Sequence, residues 1–178
     1  MAFEVLKSLA LSWATGTLRE PRVEAADSKL FDAYEKLNLN DTFLLSVVEE
    51  LLMNSLEHGL TPIEIFFSKK EATVFFGIWD RGTGIHNTLP RNPKLSDTKD
   101  KTSAALVRLS LEEHITGTGQ VGRGVGLGLL SKYVKRSDSE LLIWSNGAWV
   151  MQAKDCYFEQ PSSQNVDGTM ILLSVAYG

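Results

Sequence analysis

The chain has 178 residues, 43% of them apolar, enough for one ordinary domain with a full core and too few for two large ones. Its 18 Lys and Arg against 22 Asp and Glu give a net charge of −4 and a pI near 5.4, which argues against a direct DNA or RNA partner. The lone Cys156 excludes an internal disulfide and reads as a buried structural thiol in a reduced, cytoplasmic protein. No apolar run approaches the roughly 20 residues of a membrane span.

Phe3, Leu6, Leu9, Ala10 and Trp13 form a helical stripe with Gly16 as a plausible stop. Glu4 precedes the apolar run and a basic leader is missing, so the segment reads as mature structure. Thr17 to Val23 contains Pro21 and reads as extended, Glu24 to Leu37 as a helix, and Asn38 to Asp41 as breaker and cap.

The next helix, VVEELLMNSLEHG, spans Val47 to Gly59. Glu50, Asn54 and His58 recur every four residues and fall within an arc of roughly 80°. Leu44, Val47, Val48, Leu51 and Ser55 make the stripe beside them, which places the polar groups at the edge of a core.

The period then changes: Ile63, Ile65 and Phe67 alternate, Ser68 to Glu71 turn, and Thr73 to Trp79 run apolar, as in a β-hairpin. The second strand ends at Asp80, followed by the glycine-bearing Arg81-Gly82-Thr83-Gly84-Ile85. His86 to Thr102, with Pro90 and Pro93, reads as a long surface connection, and Ala104 to His114 as a helix.

Six glycines between Gly117 and Gly128 lead into a helix with Leu127, Leu130 and Val134 inward and Lys132, Lys135 and Arg136 outward. Free backbone N–H groups and a helix N-terminus suit a phosphate there, although glycine loops also close ordinary turns. Glu140 to Ser145 and Ala148 to Ala153 read as strands joined by an Asn146-Gly147 hairpin turn. Lys154 to Asp167 reads as an irregular connection, and Gly168-Thr169 as the start of a last strand, Met170 to Val175.

A nucleoside triphosphate gives the three separated stretches one explanation. Asn54 offers a neutral oxygen to Mg²⁺, Glu50 can orient or deprotonate an attacking hydroxyl or water, and Asp80 can accept a hydrogen bond from an exocyclic amine. His58 fits a supporting hydrogen bond better than a catalytic role. His86, His114 and Cys156 lack metal-ligand spacing.

The motifs resemble those of the GHKL, or Bergerat-fold, ATPase superfamily, over about Asn40 to Val175. Glu50-x-x-x-Asn54 with Ser55 and His58 is similar to the family's N box, and Asp80-Arg81-Gly82-Thr83-Gly84-Ile85 to its first glycine box. Gly122-Arg123-Gly124-Val125-Gly126-Leu127-Gly128-Leu129 is similar to the second, and Gly168-Thr169 to the final strand motif.

The resemblance implies an α+β fold, a two-layer α/β sandwich whose mixed, mainly antiparallel sheet is covered on one face by helices. It implies an ATP-binding domain over residues 41–178 with a lid at about 86–121, and an N-terminal helical extension, 1–40, packed on the same domain. By motif, Glu50 is the catalytic base and Asn54 the Mg²⁺ ligand. Asp80, Gly82, Gly84, Ile85 and Thr169 surround adenine, while Gly122, Arg123, Gly124, Val125, Gly126 and Leu127 cradle phosphates. For Arg123 a solvated loop position is an equal reading.

Among relatives, the N box most resembles that of the anti-sigma-factor serine kinases. That implies a protein partner, a sigma-factor-like or anti-anti-sigma-like regulator, and leaves room for a homodimer. A nucleotide-gated protein-binding switch and a simple ATPase remain the alternatives.

Overall fold

The computed structural model describes residues 2–19, 22–24, 42–58, 63–115 and 126–176. Helix α1 (Ala2–Ala14) is followed by strand β1 (Arg22–Glu24), helix α2 (Thr42–His58), and strands β2 (Glu64–Lys70) and β3 (Thr73–Asp80). A short helical turn α3 (Ile85–Thr88), two 3₁₀ segments and helix α4 (Ser103–Ser110) precede helix α5 (Gly126–Arg136) and strands β4 (Ser139–Ala153) and β5 (Cys156–Ala176). The helix read over residues 24–37 falls almost entirely outside the described residues.

The five described strands form one sheet in the order β1-β2-β3-β5-β4. Every described pairing is antiparallel, where a mixed sheet was expected. The α+β class and the layer of helices on a sheet agree with the sequence.

Strand β3 shows how the core is divided. Val74, Phe76 and Ile78 point to one face, where they pack with Leu44, Val47, Val48 and Leu51 of α2, Leu106 and Val107 of α4, and Leu130 and Val134 of α5. Phe75 and Trp79 point to the other face and pack with Leu6, Leu9, Ala10 and Trp13 of α1. Helical cover on one face was expected; α1 lies on the second, so both faces are shielded from water. A strand with solvent on one side alternates polar and apolar residues, and β3 does not, because both of its faces are buried.

Helix α1 forms as the spacing predicts, with Leu6, Leu9, Ala10 and Trp13 buried, and it stops at Gly16. Gly16 takes φ 73°, and the amides of Gly16 and Thr17 return to the carbonyls of Trp13 (3.0 Å) and Ser12 (2.8 Å). This is the Schellman arrangement, which satisfies carbonyls that the last turn leaves open. Trp13 meets Phe66 edge-on at 4.9 Å and Trp79 at 5.8 Å. Gly77 makes room for that approach, since a Cβ there would run into the Phe66 ring and lie 2.7 Å from the Trp13 ring.

Four further expectations change. His86 to Thr102 is a succession of short helical turns with Leu89, Asn92 and Thr98 buried, not a surface connection. Asn146-Gly147 does not reverse the chain. Asn146 takes the left-handed φ of 54° expected of it, but β4 runs on through a register shift, and Lys154-Asp155 makes the turn, with Lys154 at φ 51°. Residues 156–167 therefore form the first part of β5 in place of the expected irregular connection. Cys156, read as a buried thiol, opens β5 directly after that turn and is exposed.

Candidate functional site

Ile78 of β3 points to the face that carries α2, α4 and α5, and alternation puts Asp80, at the strand end, on that face as well. Asp80 pairs with Thr169 of β5 across the ladder. Its Oδ1 accepts the Gly82 amide at 2.9 Å, and the Thr169 amide also donates to the carboxyl. Burial nevertheless dominates and pushes the Asp80 pKa up to about 6, with the two amides pulling it down.

Two glycines make this arrangement possible. Gly168 has φ 76°, and a Cβ there would run into the Asp80 backbone oxygen and lie 2.5 Å from the Gly82 nitrogen. Gly84 has φ 77°, and a Cβ there would lie 2.5 Å from Asn146 Oδ1 and 3.0 Å from both Gly168 O and Ser145 Oγ. The positive-φ conformation and the close approach each exclude a side chain.

Ser145, which sequence reasoning passed over, sits at the centre of this knot with no exposed surface. Its Oγ accepts the Ile85 amide at 2.9 Å and lies 3.1 Å from Gly168 O, 3.2 Å from Thr169 Oγ1 and 3.3 Å from Asn146 Oδ1. A serine beside a bulge in mid-strand carries no periodic signature. The usable signal was the Ser145-Asn146-Gly147 triplet, whose turn-forming residues mark the bulge that delivers the hydroxyl.

The structure thus brings Asp80, Gly82, Gly84, Ile85 and Thr169 together. Ile85 and Thr169 are nearly buried, and Ile85 joins the same core as Leu51 of α2. On α2, Glu50 is half-buried beside buried Val47, Val48, Leu51 and Ser55, the core edge its spacing predicted. Asn54 lies four residues further along α2; its side chain and that of His58 lie outside the described residues. Gly122, Arg123, Gly124 and Val125 also lie outside them, while Gly126 and Leu127 open α5, Gly126 buried and Leu127 half-buried.

Behind Asp80, Arg81 is held in place. Its guanidinium stacks 3.5 Å from the Trp79 ring centroid and donates to Glu64 Oε1 at 2.7 Å. The other oxygen of Glu64 accepts Trp13 Nε1–H at 3.0 Å, so the loop after Asp80 is tied to α1 on the opposite face.

Elsewhere in the helix layer, Lys132 of α5 is ion-paired with Glu113, and Arg108 of α4 stacks 3.4 Å from the Tyr157 ring centroid. Lys135 and Arg136 are exposed, as read. Helix α4 carries Leu106 and Val107 into the core with no exposed surface, so this part of the expected lid is anchored to the sheet.

No protein-family model matches the chain, and none of the curated proteins matches it. What the fold and site define is an α+β domain whose antiparallel sheet ends in a half-buried carboxyl framed by glycines. No described helix is long and apolar enough to cross a membrane.

Proposed function

We propose that the chain is an ATP- and Mg²⁺-binding protein of the GHKL type, acting in the cytoplasm as a regulatory serine/threonine kinase of the anti-sigma kind on a protein partner. The observation that carries the reading is Asp80: a carboxyl held at a strand end by two main-chain amides, beside two glycines that cannot carry a side chain.

The free acceptor at Asp80 fits adenine. At neutral pH a carboxyl with a pKa of about 6 is mostly ionised, so it only accepts hydrogen bonds. The amides of Gly82 and Thr169 occupy part of its acceptor capacity, and the remainder suits the exocyclic amine of the base. Gly82 and Gly84 shape the floor of that pocket, with Ile85 and Thr169 against it.

On α2, Glu50 is the base. It takes the proton of a serine or threonine hydroxyl on the partner as the γ-phosphoryl group is transferred. Its half-buried position at a core edge suits a group that must meet substrate while staying oriented. Asn54 would hold Mg²⁺, which supplies charge neutralisation on the phosphates. Gly122 to Leu127 would hold the phosphate chain, Gly126 and Leu127 by their place at the N-terminus of α5. Positioning carries most of such a reaction, because phosphoryl transfer asks little covalent chemistry of the protein.

Glu50→Gln is expected to keep ATP binding and lower turnover on the order of 100-fold, as loss of a general base does. Asn54→Ala is expected to lose the Mg²⁺-dependent part of ATP affinity, read by titration with and without the ion. The kinase reading itself is tested by incubating the protein with γ-labelled ATP and the protein encoded beside it. Label on the partner is the expected result. Free phosphate without partner label assigns an ATPase, and capture without label assigns a switch.

A further inference from the structure

Ser145 belongs to neither glycine box nor to the N box, yet it touches the first glycine box and the final strand motif at once. Its hydroxyl has one proton to give and two lone pairs to fill. The Ile85 amide fills one lone pair at 2.9 Å. Gly168 O is acceptor-only, and at 3.1 Å it is a natural recipient of the single proton, with Asn146 Oδ1 the farther acceptor at 3.3 Å. Thr169 Oγ1, 3.2 Å away, is the neighbour left to fill the second lone pair, which it does by donating. A hydroxyl with no exposed surface has no water to turn to, so this full pairing is the favoured one.

This proton order has a consequence for the pocket. With its own proton committed to Ser145, Thr169 has only lone pairs left for a ligand, and its ladder partner Asp80 is an acceptor as well. Two acceptors side by side welcome a base that carries an amine and leave a 6-oxo group without a donor.

We propose that Ser145 is a positioning residue that sets base selectivity, by pinning the Gly84-Ile85 turn to β5 and by fixing the direction of the Thr169 hydroxyl. The inference rests on the nucleotide-binding reading above. Removing the Ser145 hydroxyl frees the Thr169 proton, which can then turn to a 6-oxo group, and releases the Ile85 amide.

Calorimetric titration with ATP and with inosine triphosphate tests this on the full chain, as wild type, Ser145→Ala, Ser145→Cys and Ser145→Thr. The wild type should prefer ATP. The alanine and cysteine variants should narrow the ATP-to-inosine-triphosphate ratio by about fivefold, the size of one neutral hydrogen bond. The threonine variant, which keeps the hydroxyl, should retain the ratio.

Amide exchange gives a readout independent of nucleotide. Ile85 should exchange faster in Ser145→Ala while the amides of β3 keep their rates. Equal loss of affinity for both nucleotides, or an unchanged ratio in the alanine and cysteine variants, overturns the proposal and leaves the nucleotide site standing. A wild type that binds neither nucleotide overturns the site itself, and the proposal with it.

Discussion

Gly168→Ala is expected to lose the site and most of the domain's stability together. The residue has φ 76°, which an L side chain rarely adopts, and the added methyl would meet the Asp80 backbone oxygen and lie 2.7 Å from Asp80 Oδ1. Neither of those atoms can step aside cheaply, because Asp80 and Thr169 face each other in the last rung of the β3–β5 ladder, between the two central strands of the sheet. Backbone strain and overpacking each cost about 1–3 kcal/mol, so a combined loss of roughly 3–5 kcal/mol is expected. Urea denaturation compares it with Gly147→Ala, where the nearest atom is the Asn165 side-chain oxygen at 2.9 Å. The Gly147 change should cost far less.

Asp80→Asn is expected to move stability and binding in opposite directions. Because burial raises the folded-state pKa to about 6 from 3.8, the ionised carboxyl is held at a cost above pH 6. That cost shrinks as pH falls through 6 and is gone below about pH 4, where folded and unfolded states are both protonated. Asparagine keeps an oxygen for the Gly82 amide and carries no charge. The variant should therefore be more stable than wild type by on the order of 2–3 kcal/mol at pH 7.5, with the gain fading by pH 4. It should also bind ATP at least about 100-fold more weakly, since the carboxylate that accepts the amine is gone. Melting temperatures across pH 4 to 8 check the first effect, and titration with ATP the second. A stabilising change that removes binding marks a residue kept for function at the expense of the fold.

Much of the fold was legible where one period dominated the sequence. Leu6, Leu9, Ala10 and Trp13 placed α1 and Gly16 ended it; Leu44, Val47, Val48, Leu51 and Ser55 placed the buried side of α2. Thr73 to Trp79 gave β3, and its unbroken apolar run carried the sign that both faces are covered, with α1 as the cover. Inferring helices on one face alone overlooked that parity.

Local turn chemistry was a poorer guide. Asn146 adopts the left-handed conformation it favours, but that backbone serves a bulge as readily as a reversal, and only the partner strand decides between them. In the β4–β5 ribbon, the polar residues of 156–165 obscured a strand that is mostly exposed and therefore lacks an apolar signature.

At the site, Asp80, Gly82 and Gly84 were legible because their chemistry is tied to spacing. Thr169 followed from its glycine neighbour. Ser145 was not legible, because it is distant in sequence from every residue it bonds except Asn146, and meets them only through the β4–β5 and β3–β5 pairings.

The most direct test of the account is a structure of the wild-type chain grown with ATP and Mg²⁺. The adenine amine should lie at the Asp80 carboxyl, the base over Gly82 and Gly84, and the phosphates between Asn54 and the N-terminus of α5. ATP bound away from Asp80 and α2 would contradict it.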